Sequence, residues 1–349
     1  MLPSSKKVRV MVVDDSVLAR AMLTQGLGRC PQIEVVGQGF NAQDAMMKID
    51  QLRPDVMTLD VEMPGMSGID FLRQLLPRRP LPVILVSSLN LRVFDALSAG
   101  AVDFVRKPEP GQNETFIKAL TQKVLSAAGA RVRCAPAMGA RQPAAGMPPI
   151  PLLGNRPGLD QVIIGLGAST GGTEATLEVL KRLPADIPGM LIVQHMPTGF
   201  TQMYAERLDR LCPMEVREAK NGDEVKRGLA LLAPADYQMR LVRTGSRYTV
   251  SCMPGEKVSG HRPSVDALFL SMAEQVRCRM VGIIMTGMGR DGADGLLQMR
   301  KAGAFTIGQD KESSVVYGMP MVAYNIGAVQ IQAACDKIAD VLVQKLRQL

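Results

Sequence analysis

Short apolar runs alternate with helix-type patterns along the chain, and this alternation limits the fold more than any other feature. Before residue 126 the strand candidates are 8–13, 33–37, 56–59, 83–86 and 102–105. The helix candidates are at about 16–28, 42–52, 68–76, 92–99 and 113–127. Repeated β-α units of this length predict an α/β domain, with a parallel sheet covered by helices on both faces.

The same alternation resumes after residue 158 and is interrupted once. The strand candidates there are 162–166, 190–193 and 280–285, and the helix candidates are about 172–183, 200–211, 264–276, 293–302 and 331–347. Between them, 237–243 and 247–253 flank the turn signal Thr-Gly-Ser and predict a β-hairpin insertion. Because 349 residues exceed one ordinary domain, we expect two, at 8–125 and 159–349, the second a doubly wound α/β domain.

The stretch between the two predicted domains, 126–158, differs in composition from both. It contains four arginines and no acidic residue, so it carries half of the formal net charge of +8. Six prolines, five glycines and eight alanines leave no helical or strand period, which predicts a flexible basic linker. The chain has no tryptophan and 4% aromatic residues, so platforms for stacking bases are scarce and we expect no nucleic-acid partner.

Nothing in the sequence pattern indicates membrane insertion. No apolar run approaches the ~20 residues of a membrane span, and the first residues lack the small-residue cleavage site of a signal peptide. Six cysteines lie far apart without a Cys-x-x-Cys pair, which argues against a disulfide framework or a zinc site. We expect a cytoplasmic, monomeric protein without direct membrane insertion.

Polar residues stand at the ends of four strand candidates in the first half. Asp14 and Asp15 follow the first strand, Asp60 the third, Ser87 the fourth and Lys107 the fifth. Since parallel strands present their carboxyl ends at one edge of the sheet, these side chains should converge. Each aspartate alone could be a helix N-cap, but three carboxylates together repel unless a cation joins them. Oxygen ligands with room for phosphate favour Mg²⁺, with the lysine as counter-charge.

The stretches VMVVDDS, TLDVEMPGMSGIDFL, VILVSSL and GAVDFVRKP resemble two-component receiver domains over about residues 8–125. The resemblance implies a flavodoxin-like (βα)5 fold in which Asp60 accepts a phosphoryl group from a histidine kinase. It implies a Mg²⁺ site formed by Asp14, Asp15, Asp60 and the backbone carbonyl of Glu62. It also implies two side chains that contact the phosphoryl oxygens, those of Ser87 and Lys107.

A glycine-rich turn, GLGASTGG at 165–172, follows the first strand candidate of the second half, and two interpretations compete. The segment GASTG fits G-x-S-x-G, the sharp turn that exposes a serine hydroxyl. The glycines also lie near a dinucleotide-binding pattern. The next strand, however, ends in Gln194-His195, where a dinucleotide fold needs an acidic residue for the ribose. One β-α-β step makes Ser169 and His195 neighbours, so a serine hydrolase is favoured over a dinucleotide-dependent oxidoreductase.

A serine–histidine pair needs a third group that orients the imidazole. The strand candidate 280–285 runs into TGMGRDGADG, in which Asp291 lies just past the strand and Asp294 about one turn later. We therefore predict Asp291 as the orienting acid and Asp294 as a residue of the helix surface. The second histidine, His261, precedes a helix in GHRPSVD, where it either lines the site or remains a loop residue.

The motifs GLGASTGGTEA, VQHMPTGFT, GHRPSVDALF and IIMTGMGRDGADG, behind a receiver and a linker, resemble the chemotaxis-specific protein-glutamate methylesterases of the CheB type. The resemblance covers nearly all of the chain apart from 126–158. It implies Ser169 as nucleophile, His195 as general base and then acid, and Asp291 as the orienting carboxylate. It also implies an oxyanion hole made by two backbone amides, those of Thr170 and Met288.

The implied substrates are glutamate methyl esters on chemoreceptors, which are converted to glutamate and methanol without a cofactor; related enzymes also deamidate receptor glutamines. The implied partners are these receptors and the chemotaxis histidine kinase. The resemblance further implies that the unphosphorylated receiver restrains the esterase and that phosphorylation releases it. The remaining alternative is a response regulator with a DNA-binding output domain. That alternative needs a helix-turn-helix after the linker, where the chain instead continues with alternating strands and helices.

Overall fold

The structure is a computed structural model that describes residues 6–88, 92–132, 150–156 and 158–348. The chain divides into two compact units, Met1–Ala144 and Ala145–Leu349. Each unit contains its own parallel sheet with helices, which confirms the α/β expectation for both halves. Within the described residues, every helix is too short or too polar to cross a lipid bilayer.

Five parallel strands form the sheet of the first unit, in the order β2-β1-β3-β4-β5, which is the flavodoxin-like order. Strands β3 and β4 are buried along their whole length, as central strands covered on both faces must be. The elements are β1 Val8–Val13, α1 Val17–Gly28, β2 Ile33–Gly39, α2 Ala42–Leu52, β3 Val56–Asp60, α3 Gly68–Leu75, β4 Val83–Ser87, α4 Arg92–Ser98, β5 Asp103–Arg106 and α5 Asn113–Ala127.

The first three helices of this unit begin at capping side chains. Ser16, Asn41 and Ser67 each accept a hydrogen bond from the backbone N–H three residues later. The start of helix α3 lies very close to the end of β3. A Cβ on the first residue of the helix, Gly68, would lie 2.4 Å from the carbonyl oxygen of Asp60. The glycine therefore lets the loop after β3 fold back tightly against the sheet edge.

Seven parallel strands form the main sheet of the second unit, in the order β14-β13-β12-β6-β7-β9-β8. Strand β6 lies at its centre, paired with β7 on one side and β12 on the other. The strands are β6 Val162–Ala168, β7 Met190–Gln194, β8 Glu215–Glu218, β9 Leu229–Leu232, β12 Arg279–Ile284, β13 Phe305–Gln309 and β14 Ile331–Ala333. The helices are α6 Gly172–Leu180, α7 Phe200–Leu211, α8 Val265–Gln275, α9 Ala293–Lys301, α10 Met319–Asn325 and α11 Cys335–Arg347.

The predicted β-hairpin is confirmed as β10 Gln238–Thr244 and β11 Arg247–Met253. The two strands are joined by a two-residue turn whose first residue, Gly245, has a φ of 64°, a value that glycine adopts without strain. The backbone N–H of Leu241 donates to Oγ of Ser271 on helix α8 at 2.8 Å. The hairpin is thus attached to the helix that leads into strand β12.

The prediction of a helix from about residue 331 is wrong at its start. Ile331–Ala333 forms strand β14, which pairs with β13 at the sheet edge, and helix α11 begins at Cys335. A strand of three residues is too short to display an alternating pattern, so an adjacent helical pattern hides it. Other short elements also show too few residues for a clear periodic pattern and were not predicted. They are strands β8, β9 and β13 and helix α10.

The end of the predicted linker 126–158 is attached to the second unit. The carboxylate of Asp186 accepts hydrogen bonds from the backbone N–H groups of Leu153 and Gly154, at 2.9 and 2.8 Å. Burial raises the pKa of Asp186, but these two N–H groups and the charge of Arg227 outweigh it and lower the pKa. Two parts of the predicted linker lie outside the described residues, 133–149 and 157.

Candidate functional site

Three carboxylates meet at the carboxyl edge of the first unit's sheet. Oxygen atoms of Asp14, Asp15 and Asp60 all lie within 4.8 Å of one another. Asp14 and Asp60 are buried, whereas Asp15 is exposed. Buried carboxylates at this spacing need a positive partner, and one exposed ligand leaves a side of the cluster open to solvent and to a phosphate. The predicted convergence of these side chains is therefore present in the fold.

Lys107, directly after strand β5, reaches across to this cluster. Its Nζ lies 2.6 Å from Oδ2 of Asp60 and 3.6 Å from Oδ2 of Asp14. Burial raises the pKa of Asp60, and the opposing hydrogen bonds from Lys107 and the backbone N–H of Glu62 do not cancel that effect. Burial acts to lower the pKa of Lys107, but the two carboxylates reverse it, so the pKa is raised and the ammonium remains charged.

Ser87 and Glu62 complete the set of predicted residues at this edge. The hydroxyl of Ser87 is buried at the end of β4 and, among the described residues, has no hydrogen-bond partner. The backbone N–H of Glu62 donates to Oδ1 of Asp60 at 3.1 Å, which places the main chain of residue 62 beside the carboxylates. Buried aspartate oxygens, one exposed carboxylate and an unsatisfied hydroxyl fit a hard divalent cation with a phosphoryl group beside it.

Ser169 and His195 meet at the carboxyl ends of two paired strands of the second unit. Ser169 follows β6 and His195 follows β7, and the backbone N–H of His195 donates to the carbonyl of Ala168 at 3.1 Å. This contact brings the two side chains together, with Nδ1 of His195 3.2 Å from Oγ of Ser169. Their separation of one β-α-β unit in sequence thus becomes a direct hydrogen bond.

Asp291, after strand β12, contacts the opposite side of the same imidazole. Its Oδ2 lies 2.8 Å from Nε2 of His195, and the side chain is buried. Three further donors surround the carboxylate, since it accepts from Oγ of Ser264 at 2.7 Å and from the backbone N–H groups of Val265 and Asp266 at 2.8 and 2.9 Å. The carboxylate therefore lies at the N-terminus of helix α8.

The donors around Asp291 decide its charge state. Burial raises the pKa of the carboxyl, but the hydrogen bond and charge of His195, the N–H of Asp266 and the hydroxyl of Ser264 together lower it below its ordinary value. An ionised carboxylate can only accept a hydrogen bond, so Nε2 of His195 is the nitrogen that carries the hydrogen. Nδ1 is then the acceptor that faces Oγ of Ser169.

The turn that carries Ser169 is held against the loop after β12. The backbone N–H of Ser169 donates to the carbonyl of Thr286 at 3.0 Å. Gly171, two residues past the serine, has a φ of 75°, which explains the glycine at the end of this sharp turn. A Cβ on Gly287 would lie 2.7 Å from Cβ of Ser169, so the two loops approach this closely only because residue 287 has no side chain.

The two residues predicted to supply backbone amides flank the serine. Oγ1 of Thr286 donates to the carbonyl of Thr170 at 2.9 Å, which holds the peptide between Thr170 and Gly171. Met288 follows the close contact at residue 287, and its backbone N–H donates to no protein acceptor among the described residues. Residues 170 and 288 thus belong to two main-chain segments that contact each other beside the serine.

Arg290 and Asp294 take no part in the contacts among Ser169, His195 and Asp291. The guanidinium of Arg290 bonds both carboxylate oxygens of Asp294, at 2.8 and 2.7 Å, and both side chains are exposed. The geometry therefore brings Asp291 to His195 and leaves Asp294 on the surface of helix α9.

The sequence left the place of His261 open and did not single out Ser264 or Gln194, and the structure brings all three to this site. The ring of His261 stacks on that of His195, with centroids 3.8 Å apart and planes within 9°. Ser264 caps helix α8 and donates to Asp291, and Nε2 of Gln194 donates to the carbonyls of Ser169 and His195 at 2.8 and 3.1 Å. The signal for Ser264 was present, since a serine before a helical pattern is typical of an N-cap.

Comparison with known families gives one match in each half of the chain. The family model described as CheB methylesterase matches residues 164–342, and the model described as response regulator receiver domain matches residues 10–121. The first contains every residue of the serine site, and the second contains every residue of the carboxylate site. Each of the two sites thus lies within the match to a different family model.

Similar proteins extend over nearly the whole length of the chain. A protein from Syntrophomonas wolfei, named protein-glutamate methylesterase/protein-glutamine glutaminase 2, is 50% identical over 99% of this chain and 99% of its own. One from Syntrophotalea carbinolica, named protein-glutamate methylesterase/protein-glutamine glutaminase, is 45% identical over 98% and 99%. The crystal structure of the Thermotoga maritima CheB methylesterase catalytic domain matches with a TM-score of 0.51 and 34% identity, over 52% of this chain and 97% of its own.

The carboxylate cluster predicts Mg²⁺ binding that depends on its buried members. Asp14→Asn and Asp60→Asn should each weaken Mg²⁺ binding by at least about tenfold, because each removes a charged oxygen ligand. Isothermal titration calorimetry of the full chain measures the affinity. Asp50→Asn is the matched control, since Asp50 is exposed and pairs with Arg79 away from the cluster. Equal affinity in the wild type and in both cluster variants would contradict the assignment.

Proposed function

The chain belongs to the CheB methylesterase family and carries a response regulator receiver domain, and from this membership we propose a phosphorylation-activated protein-glutamate methylesterase of bacterial chemotaxis. The substrates are methyl esters of glutamate side chains on chemoreceptors, and receptor glutamines are deamidated by the same chemistry. The names of the relatives include both activities. We assign residues 8–125 to the receiver and 159–349 to the esterase.

The observation that carries this proposal is the continuous hydrogen-bonded chain from Ser169 through His195 to Asp291. A serine hydroxyl is a weak nucleophile until a neighbouring base takes its proton. Nδ1 of His195 is that base, and the anionic Asp291 stabilises the imidazolium that forms. The arrangement supports acyl transfer through a covalent intermediate.

The reaction follows from these positions. Oγ of Ser169 attacks the ester carbonyl carbon while its proton moves to Nδ1 of His195, and a tetrahedral intermediate forms. Collapse of the intermediate breaks the bond to the methoxy group, which takes the proton from His195 and leaves as methanol. Water then attacks the acyl-enzyme with His195 as base, giving glutamate and free Ser169. With a glutamine substrate, ammonia leaves in place of methanol.

The charge on the tetrahedral intermediate needs donors beside Ser169. We assign this role to the backbone amides of Thr170 and Met288, which flank the serine on two segments joined by the contact at Gly287. Backbone N–H groups fixed in advance stabilise such a charge without reorganisation. The tight packing around residue 287 supports this pre-organisation.

In the receiver, we assign Asp60 as the phosphoryl acceptor from a chemotaxis histidine kinase. Lys107 contacts the acceptor carboxylate and neutralises charge at the phosphoryl oxygens, and the unsatisfied hydroxyl of Ser87 donates to one of them. Asp14, Asp15, Asp60 and the carbonyl of Glu62 would hold Mg²⁺, which would neutralise further charge on the phosphoryl group.

The central test is removal of the nucleophile and the base. Ser169→Ala and His195→Gln should each lower methanol release from methylated receptor by about 10⁴- to 10⁶-fold, since the two groups act as a unit. The assay uses full-length protein, and circular dichroism checks that each variant is folded. Asp294→Ala, which removes an exposed pair with Arg290, is the control. A Ser169→Ala protein with more than a few per cent of wild-type activity would refute a serine mechanism.

The orienting carboxylate gives a second prediction. Asp291→Asn keeps the size of the side chain but removes the charge that favours the Nε2–H tautomer, so kcat should fall by about 10²- to 10⁴-fold. Asp294→Asn should leave kcat nearly unchanged, because that residue lies on the helix surface. Steady-state kinetics of methanol release compare the two variants. Equal losses would show that Asp291 has no special role.

Regulation by the receiver gives a third prediction. Acetyl phosphate with Mg²⁺ should raise the esterase activity of the full-length wild type, and a tenfold rise requires only about 1.4 kcal/mol of differential stabilisation. Asp60→Asn should not respond to acetyl phosphate, because an amide does not accept a phosphoryl group as a carboxylate does, whereas Asp50→Asn should respond normally. A wild type with the same activity before and after phosphorylation would leave the receiver without a regulatory role.

A further inference from the structure

His261 lies face to face with the general base and takes no direct part in the proton transfers described above. Its ring centroid is 3.8 Å from that of His195, and the planes differ by 9°. Such a parallel stack covers one whole face of the His195 imidazole. Because the chain has only two histidines, their juxtaposition from positions 66 residues apart calls for a physical role.

The hydrogen bonds of His195 leave one movement of its ring uncontrolled. Nδ1 is held by Ser169 and Nε2 by Asp291, at 3.2 and 2.8 Å. These two hydrogen bonds fix the positions of Nδ1 and Nε2. Rotation of the ring plane about the axis through these two nitrogens depends instead on the groups that contact the ring faces. Hydrogen bonds weaken when they become misaligned, so a tilted ring is a poorer base for Ser169.

The loop that presents His261 is fastened by one buried side chain of the hairpin. Gln238, at the start of strand β10, is 5% exposed. Its Nε2 donates to the carbonyls of Glu256 and His261, both at 3.0 Å, and its Oε1 accepts from the N–H of Ser264 at 3.0 Å. One amide thus holds the backbone of the loop on both sides of the stacked ring.

The same loop ends at the carboxylate of the triad. The hydroxyl of Ser264 and the N–H of Val265 both donate to Asp291, at 2.7 and 2.8 Å. Ser264 and Val265, just after His261 in the chain, therefore hold the carboxylate of Asp291, while His261 covers the ring of His195. A single segment thus contacts both the acid, Asp291, and the base, His195.

We propose that His261 is a positioning residue, whose ring holds the plane of the His195 imidazole in line with Ser169 and Asp291, and that Gln238 fixes the loop carrying it. The flat aromatic face is what the role requires, so phenylalanine can substitute and an aliphatic side chain cannot. This inference rests on the proposed serine mechanism and adds to it the control of ring tilt by a stacked neighbour.

The test measures the reactivity of Ser169 directly in the full-length protein. A fluorophosphonate labels an activated serine, and the second-order rate of labelling reports how well His195 acts as base. His261→Ala and His261→Leu should each lower this rate by about 10- to 100-fold, the scale of a small misplacement of a catalytic group. His261→Phe should restore it to within a few-fold of wild type. Methanol release from methylated receptor should show the same order in kcat, with little change in KM.

Glu256→Ala is the matched control in the same loop, because its side chain is exposed and only its backbone carbonyl contacts Gln238. Thermal unfolding identifies variants that have lost their fold, and the comparison of Leu with Phe at position 261 decides the question if the alanine variant is unstable. A phenylalanine variant as slow as the leucine variant would overturn the inference, as would a leucine variant as fast as wild type. Failure of Ser169 to label in the wild type would instead overturn the serine mechanism.

The part assigned to Gln238 has its own measurement. Gln238→Ala should slow labelling through the same displacement of the ring, so its effect and that of His261→Ala should not add in the double variant. If the fold-losses of the two single variants multiply in the double variant, the role of Gln238 is overturned and that of His261 is not.

Discussion

A buried negative charge, the carboxylate of Asp291, is the group on which the arrangement of the catalytic half depends. The side chain is 1% exposed, and a charge removed from water is costly unless hydrogen bonds replace its hydration. The start of helix α8 supplies that replacement through the Ser264 hydroxyl and two backbone N–H groups, and the helix dipole favours an anion there. With these donors in place, the carboxylate remains charged and one of its oxygens is available to His195.

Strand order brings the other two members of the triad to this carboxylate. Because β6 lies between β7 and β12, the segments after three adjacent strands supply Ser169, His195 and Asp291. Their approach needs space that ordinary side chains would fill: a Cβ on Gly172 would lie 2.3 Å from Oε1 of Gln194, and one on Gly287 would lie 2.7 Å from Cβ of Ser169. The glycines in these turns thus permit the contacts on which the proposed chemistry relies.

Local patterns in the sequence predicted much of this arrangement, and contacts distant in sequence account for the rest. The β-α alternation gave both parallel sheets, and strand ends indicated Asp60, Ser169 and His195, which the fold places at two sheet edges. The stacking of His261 on His195 could not be predicted, because it depends on a loop held by Gln238 from a different strand. Strand β14 was mistaken for helix, since its three residues pair only with a neighbour that the pattern did not identify either.

Two buried aspartates, one in each half, have pKa values shifted in opposite directions, and the difference fits their proposed roles. Donors around Asp291 outweigh its burial and lower its pKa, so the group contributes stability above its unfolded pKa that is lost as the pH falls through the folded pKa. At Asp60 burial prevails and raises the pKa, so ionisation of the carboxyl lowers the stability of the fold as the pH rises through the folded pKa. Protonation or a bound cation removes this loss of stability. A carboxylate that is ionised at neutral pH suits a group that stabilises imidazolium. A carboxylate whose charge is only partly compensated suits a group that takes up a metal ion and a phosphoryl group, because that binding supplies the missing compensation.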